Sequence, residues 1–247
     1  MSVFCGDSRV SLLEWDSRHF GFLVGRLSWA GDVPGLCEAL LDARLRGFRL
    51  VFVETQFSFR GLPILDGIAE EIFETSRQEL AKYLEPDIVA EPSRAVQPLS
   101  PESCDRSTVR TLGIVAGQYS RFFRDPRIPR PKAESLFAQW ADGGVRGTLA
   151  DAAFGAFADI DRLVGLILLS QEKDAVRIAL LSVLPAVQRR GYGSALLQEA
   201  ARWAANRNLY RMVVATQPDN SNALSLYFRN GYSTIRTSFI SHVWLRE

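Results

Sequence analysis

The fold class that the sequence predicts is α/β (α+β): a central mixed, mostly antiparallel sheet flanked by helices, with a smaller α/β region before it. Three observations carry this. The C-terminal half reads as β-β-β-α-β-α-β, each element bounded by turn residues. The N-terminal region holds a strand-helix-strand unit with its own start and stop signals. The composition, 47% hydrophobic and 23% charged over 247 residues, is that of a chain that buries a core rather than a disordered one.

The elements follow in order. Val10 to Trp15 and Phe22 to Trp29 read as short strands. Asp32 and Pro34 open a helix carrying Leu36, Leu40, Ala43 and Leu45, and Gly47 ends it. Phe48 to Thr55 is a β-branched and aromatic strand. Between Leu62 and Leu84 the charges favour helix, with a strand around Glu71 to Thr75 as the alternative. Pro86, Pro92 and Pro98 among polar residues mark a linker over 85–100 and so a division into 1–95 and 96–247. Ser100 with Pro101 predicts a helix start, the helix running to about Gln118. Tyr119 to Arg130 is read as an aromatic, basic loop, and Pro131 to Ala141 as a helix closed by Gly143 and Gly144. Three antiparallel strands follow at Phe154 to Ala158, Leu163 to Ser170 and Ala175 to Val183. Helix Tyr192 to Asn206, strand Met212 to Thr216, helix Asn220 to Arg229 and strand Thr234 to Trp244 complete the chain.

Charge and cysteine content narrow the function. A net charge of +1 gives no general field toward nucleic acid or an anionic membrane. Cys5, Cys37 and Cys104 form no CxxC pair, so neither zinc nor redox chemistry is expected, and no metal is called for. The N-terminus lacks a basic stretch followed by an apolar run, and the longest apolar run, Leu163 to Leu169, is too short to span a bilayer. A cytoplasmic protein is the expectation.

The sharpest motif is Gln188-Arg189-Arg190-Gly191-Tyr192-Gly193-Ser194, between a strand and an amphipathic helix. Free N–H groups at a helix start, with the helix dipole, make an anion site. Gly191 and Gly193 let a pyrophosphate approach the backbone, and Arg189 and Arg190 supply charge-assisted hydrogen bonds. The dinucleotide fingerprint lacks its third glycine and its acidic residue, and the P-loop lacks its Gly-Lys-Ser/Thr. In the second helix Asn220 and Tyr227 are seven residues apart and share one face, with the small Ala223 between them.

These two segments resemble the acetyl-CoA-binding signatures of the GNAT acetyltransferases. The resemblance implies that backbone around Leu181, Ser182 and Val183 pairs with pantetheine. It implies that Gln188 to Ser194 cradles the pyrophosphate, that Asn220 contacts pantetheine and that Tyr227 is the general acid. Attack of an amine on a thioester expels a thiolate, which a nearby phenol can protonate, and strand backbone near Val183 is the candidate oxyanion donor. The strand Ala175 to Val183 has Arg177 and no acid, so water is the candidate base for a weakly basic sugar amine.

Glu14-Trp15-Asp16-Ser17-Arg18-His19-Phe20-Gly21, Ser120-Arg121-Phe122, Phe137-Ala138-Gln139-Trp140, Val145-Arg146-Gly147-Thr148 and Val214-Ala215-Thr216-Gln217 are similar to segments of the dTDP-fucosamine acetyltransferase family. The implied acceptor is the amino group of a nucleotide-linked amino-dideoxy sugar, with Trp15, Asp16, Phe20, Arg121, Phe122 and Gln217 as candidate substrate residues. Other amines (a protein N-terminus, a polyamine, an aminoglycoside) and a CoA sensor without turnover remain as alternatives. Edge strands and the closing tail are compatible with a homodimer.

Overall fold

The computed structural model describes residues 9–59, 65, 67–85, 95–159 and 161–246. Most of the expected linker, 86–94, lies outside the described residues, as does Cys5. The chain divides into two compact units, residues 1–77 with 237–247, and residues 78–236.

The first unit begins with β1 (Ser11–Leu12), α1 (Glu14–Phe20) and β2 (Leu23–Ser28). Trp15, expected on a strand, lies on a helix. Gly21, at φ 87°, ends that helix by donating its N–H to the Ser17 carbonyl. Ser17 stitches helix to strand, donating from Oγ to the Leu13 carbonyl (2.7 Å) and accepting from the Val24 N–H (2.9 Å). Trp15 and His19 stack at i, i+4, ring centroids 5.3 Å apart, a contact that a strand would not make. α2 (Val33–Leu45) starts where expected, the Asp32 carboxylate accepting from the Gly35 N–H at 3.0 Å. It crosses over to β3 (Phe48–Thr55), which lies parallel to β2, and Leu36, Leu40 and Ala43 bury against Val51 and Val53.

Two long strands carry the chain between the units. β4 (Ala69–Tyr83) settles the ambiguous stretch as strand, and β10 (Ser233–Leu245) is the last element. Within the first unit β10 runs antiparallel to β3, Phe239 opposite Thr55 through Trp244 opposite Leu50. Glu54, nearly buried there, holds Arg77 at 2.9 Å and accepts from Ser238 Oγ at 3.0 Å. Such pairing across strands is how charges are housed in a sheet that local patterning read as helix.

The second unit adds β5 (Val96–Pro98), α3 (Arg106–Gly117), α4 (Arg121–Arg124), α5 (Arg130–Val145), β6 (Ala152–Phe157), β7 (Leu163–Gln171), β8 (Val176–Val183), α6 (Tyr192–Ala205), β9 (Arg211–Thr216) and α7 (Ser221–Arg229). Its sheet order is β4-β9-β8-β7-β6-β5, with every neighbouring pair antiparallel except β8 with β9. The N-cap of α3 is Asp105, not Ser100, because Ser100 is committed to a turn with Ser103. Hydrogen bonds from Ser107 and Thr108 hold the Asp105 carboxyl well below the usual carboxylate range. Gly113 and Gly117 let α3 lie tightly on α5: a Cβ at Gly113 would stand 2.4 Å from the Phe137 carbonyl oxygen, and one at Gly117 2.5 Å from the Phe137 ring.

α5 runs through Gly143 and Gly144 instead of stopping there. Gly144 faces Leu168, whose Cδ1 would be 2.2 Å from an added Cβ, so its small size serves packing; the left-handed residue that follows the helix is Gly147, at φ 71°. The expected loop Tyr119 to Arg130 contains the one-turn α4, which buries Phe122 against Phe137 and Trp140. On the other side of the sheet α6 buries Leu196, Leu197, Ala200 and Ala204 in a core shared with Ile167, Leu169, Val176, Met212 and Val214.

Candidate active site

The site begins with an irregularity in β8. Leu168 of β7 stands opposite Leu180 and Leu169 opposite Ile178, so Ala179 is an extra residue, a bulge that bends the strand. Up to the bulge, β8 and β9 are paired in parallel, from Val176 with Met212 to Ile178 with Val214. Beyond it the ladder ends, although β8 continues to Val183 and β9 to Thr216. β9 stays bonded on its other side to β4, Thr216 opposite Gln78. The two parallel strands therefore splay, and backbone groups of Leu181 to Val183 are left without a ladder partner on the β9 side.

A cavity of about 800 Å³ lies against this end of β8. Leu181, Ser182 and Val183 line it, and so do Gln188, Arg189, Gly191, Tyr192, Gly193, Ser194, Asn220 and Ala223. The structure thus brings together nearly all the residues that the sequence assigned to one ligand. Ser182 Oγ is buried in the lining without a hydrogen-bond partner among the described residues.

The turn from β8 to α6 is held in an unusual backbone conformation. After the short 3-10 turn Pro185–Val187, the Gln188 side chain donates to the Val183 carbonyl at 3.0 Å. Arg189 then takes φ 60° and Gly191 φ 90°, both left-handed. For Arg189 this is a conformation that L residues adopt at a cost, and such strain concentrates at ligand sites. Alternating handedness turns successive N–H groups to one side, next to the N–H groups of the first turn of α6, which have no acceptor within the helix. Gly191 has no neighbour within 4 Å of an added Cβ, so the backbone angle requires this glycine. Gly193 serves differently: a Cβ there would stand 3.0 Å from Leu226 Cδ2, so it admits α7 close to α6.

α7 presents two faces. Asn222, Ser225, Leu226 and Arg229 lie at i, i+3, i+4 and i+7 and line the cavity. Tyr227 belongs with Asn220, Ala223 and Leu224 on a second face. Asn220 caps the helix, accepting from the Ala223 N–H and donating to Thr216 Oγ1, both at 3.2 Å. Tyr227 is 5% exposed and packs on Tyr232 with centroids 5.5 Å apart; it is not in the cavity lining. Its hydroxyl has no hydrogen bond among the described residues, and burial pushes the phenol well above its ordinary value. Tyr232 is shifted upward too, chiefly by burial, and donates to Met212 Sδ at 3.6 Å.

The other assigned residues sit elsewhere. Arg190 and Gln217 do not line the cavity, and Phe122 is a core residue. The Arg121 guanidinium lies 4.4 Å from the Phe122 ring centroid. Trp15, Asp16 and Phe20 are on α1 of the first unit. Sequence reasoning missed the α3 wall, Val115, Ala116, Gln118 and Tyr119, and the outer face of α7, Asn222, Ser225, Leu226 and Arg229. The second set was legible as an i, i+3, i+4, i+7 stripe; the first depends on how α3 docks. Among the described residues no group of three or more His, Cys, Asp or Glu is placed to hold a metal ion, and no helix is long and apolar enough to cross a membrane.

A splayed pair of parallel strands, a bulge and a left-handed turn at the following helix make up this site, and residues 117–232 match the model of the acetyltransferase (GNAT) family. Residues 117–232 thus carry a GNAT acetyltransferase domain. Its relatives narrow this further. The chain is 27% identical to the dTDP-fucosamine acetyltransferase of Escherichia coli O6:H1 (strain CFT073), over 92% of this chain and 94% of that protein. It is 23% identical to the spore coat polysaccharide biosynthesis protein SpsD of Bacillus subtilis, over 58% of this chain and 49% of that one. Among solved structures, a functionally unknown conserved protein from Staphylococcus epidermidis superposes with a TM-score of 0.68 at 13% identity, covering 99% of this chain and 94% of that one. A GCN5-related N-acetyltransferase from Kribbella flavida gives 0.53 at 15%, covering 90% and 84%. At these identities the two structures speak for the fold.

Proposed function

We propose that the chain moves an acetyl group from acetyl-CoA to the amino group of a nucleotide-linked amino-dideoxy sugar by direct attack. The observation that carries the acceptor class is the similarity to dTDP-fucosamine acetyltransferase along nearly the whole chain, not the acetyltransferase domain alone. The donor is supported by the cavity. Its lining contains arginines and no carboxylate, as an anionic ligand requires, and its strand wall offers unpaired backbone and an orphaned hydroxyl.

In this reading the backbone of Leu181 to Val183 aligns the pantetheine arm as an added strand would be aligned. The turn from Gln188 to Ser194 takes the pyrophosphate. Backbone N–H near Val183 faces the thioester carbonyl as negative charge develops on its oxygen. Attack by the amine forms the C–N bond, water takes the proton that the nitrogen sheds, collapse breaks the C–S bond, Tyr227 gives its proton to the departing sulfur, and a proton from water restores the phenol. A phenol kept protonated by burial, with no hydrogen bond among the described residues, suits that role. The acceptor is selected by Trp15, Asp16, Phe20, Arg121 and Gln217; residues 96–247 carry the acetyl-transfer chemistry, and 1–95 contribute to acceptor choice.

The test follows thiol release from acetyl-CoA with dTDP-4-amino-4,6-dideoxygalactose and its gluco epimer as acceptors. Release with one of the two is the expected result. Release with neither, while other amines are acetylated, overturns the nucleotide-sugar assignment.

A further inference from the structure

Two cations line the cavity, Arg189 and Arg229, and they belong to different elements. Arg189 belongs to the left-handed turn before α6. Arg229 ends α7 and lies about 10 Å along the helix from Asn222, on the face that also carries Ser225 and Leu226. That face is docked on the start of α6 at two points. Leu226 lies against Gly193, and the Asn230 side chain donates to Ser194 Oγ at 3.0 Å. Arg229 is therefore held within a turn of the anion-binding segment without being part of it.

Its charge is also uncompensated. Arg202 on α6 pairs with Glu199, Arg211 on β9 with Asp174, and Arg236 on β10 with Glu79. Arg229 forms no ion pair or hydrogen bond through its guanidinium among the described residues, nor does Arg189. CoA carries two separate anionic groups, a pyrophosphate and a 3′-phosphate, with a ribose between them. We propose that Arg229 is the site of the 3′-phosphate, a second anion site beside the turn that takes the pyrophosphate. This rests on the acetyl-CoA reading above and adds a means of selecting CoA over its dephosphorylated form. The planar guanidinium offers a two-pronged hydrogen bond to a phosphate that the backbone of the turn cannot reach at the same time.

Isothermal titration of CoA and 3′-dephospho-CoA tests it without any acceptor. The wild type is expected to bind CoA about tenfold more tightly than dephospho-CoA, the size of one exposed charge-assisted contact. Arg229→Gln lowers CoA affinity to the dephospho-CoA level and leaves the latter unchanged, whereas Arg229→Lys keeps part of the preference. Arg162→Gln, which removes an exposed charge in the β6–β7 turn, alters neither. Equal weakening of both ligands by Arg229→Gln overturns the proposal, and so does a wild type that binds both equally, while the acetyl-CoA reading stands in either case. A wild type that binds neither ligand overturns both.

Discussion

Tyr227→Phe deletes a single oxygen and separates a catalytic phenol from a structural one. The Tyr227 hydroxyl lies in a 5%-exposed side chain with no hydrogen-bond partner among the described residues. A hydroxyl that makes no hydrogen bond with the described residues contributes little to stability, so its removal is expected to be neutral or to stabilise by up to about 1 kcal/mol. For a chain of this length that is a rise in Tm of about 2–4 °C per kcal/mol. The ring packing on Tyr232 is preserved by phenylalanine. Activity should move the opposite way: loss of a positioned proton donor lowers kcat by about 10²–10⁴-fold, equivalent to about 3–5 kcal/mol at the transition state. The pH dependence follows from burial. Because the phenol is raised above its ordinary range, it stays protonated through pH 10, and no alkaline decline of kcat from this group falls below that. The sign for stability is the same: in the unfolded chain the phenol ionises near pH 10 while the folded one does not, so stability present below pH 10 is lost as pH rises beyond it. Tyr227→Phe therefore flattens the alkaline limb of a denaturation profile. Thermal melts by circular dichroism and thiol release over a pH series read both quantities. An unchanged kcat with an unchanged Tm would refute the assignment of Tyr227 as the acid.

Further substitutions probe the scaffold of the site. Gly191→Ala meets no atom within 4 Å but forces alanine to φ 90°, so a cost of about 1–2 kcal/mol and a weaker affinity for CoA are expected together, seen by melting and titration. Gln188→Ala cuts the tether to the Val183 carbonyl and is expected to raise KM for acetyl-CoA several-fold with little change in Tm; a change confined to kcat would count against a positioning role. Gly113→Ala places a Cβ 2.4 Å from the Phe137 carbonyl oxygen, where overpacking of about 1–3 kcal/mol outweighs the roughly 1 kcal/mol that alanine adds to a helix. A lower Tm is the expected outcome, and a higher one would mean that α3 and α5 are not so closely apposed.

The elements that carry the chemistry were legible because their signals are local. The turn from Gln188 to Ser194 announces itself by two glycines and two arginines between an apolar strand and an amphipathic helix, and the structure places it there. The start of α2 at Asp32 and the span of β3 are short-range events as well. The stretches that local pattern left open or misplaced share a different cause. β4 carries charges suited to a helix, but Glu79 is held by Arg177 and Arg236, far away in sequence, and its strand is paired to β9. Gly144 looks like a helix stop and is a packing contact with Leu168. Phe122 looks like a ligand-facing aromatic and is a core residue, because α4 folds back on α5.

By itself, then, the sequence determined the order of elements from β6 to β10 and the place of the turn from Gln188 to Ser194, each encoded in residues close to one another along the chain. Only the tertiary structure decided where β8 and β9 part, since a single extra residue, Ala179, is visible only against the register of β7. It also decided that Val115 to Tyr119 form a wall of the cavity and that the last strand ends in the first unit, opposite β3. These are contacts between residues distant along the chain. They are set by close packing and strand pairing, which no local pattern specifies.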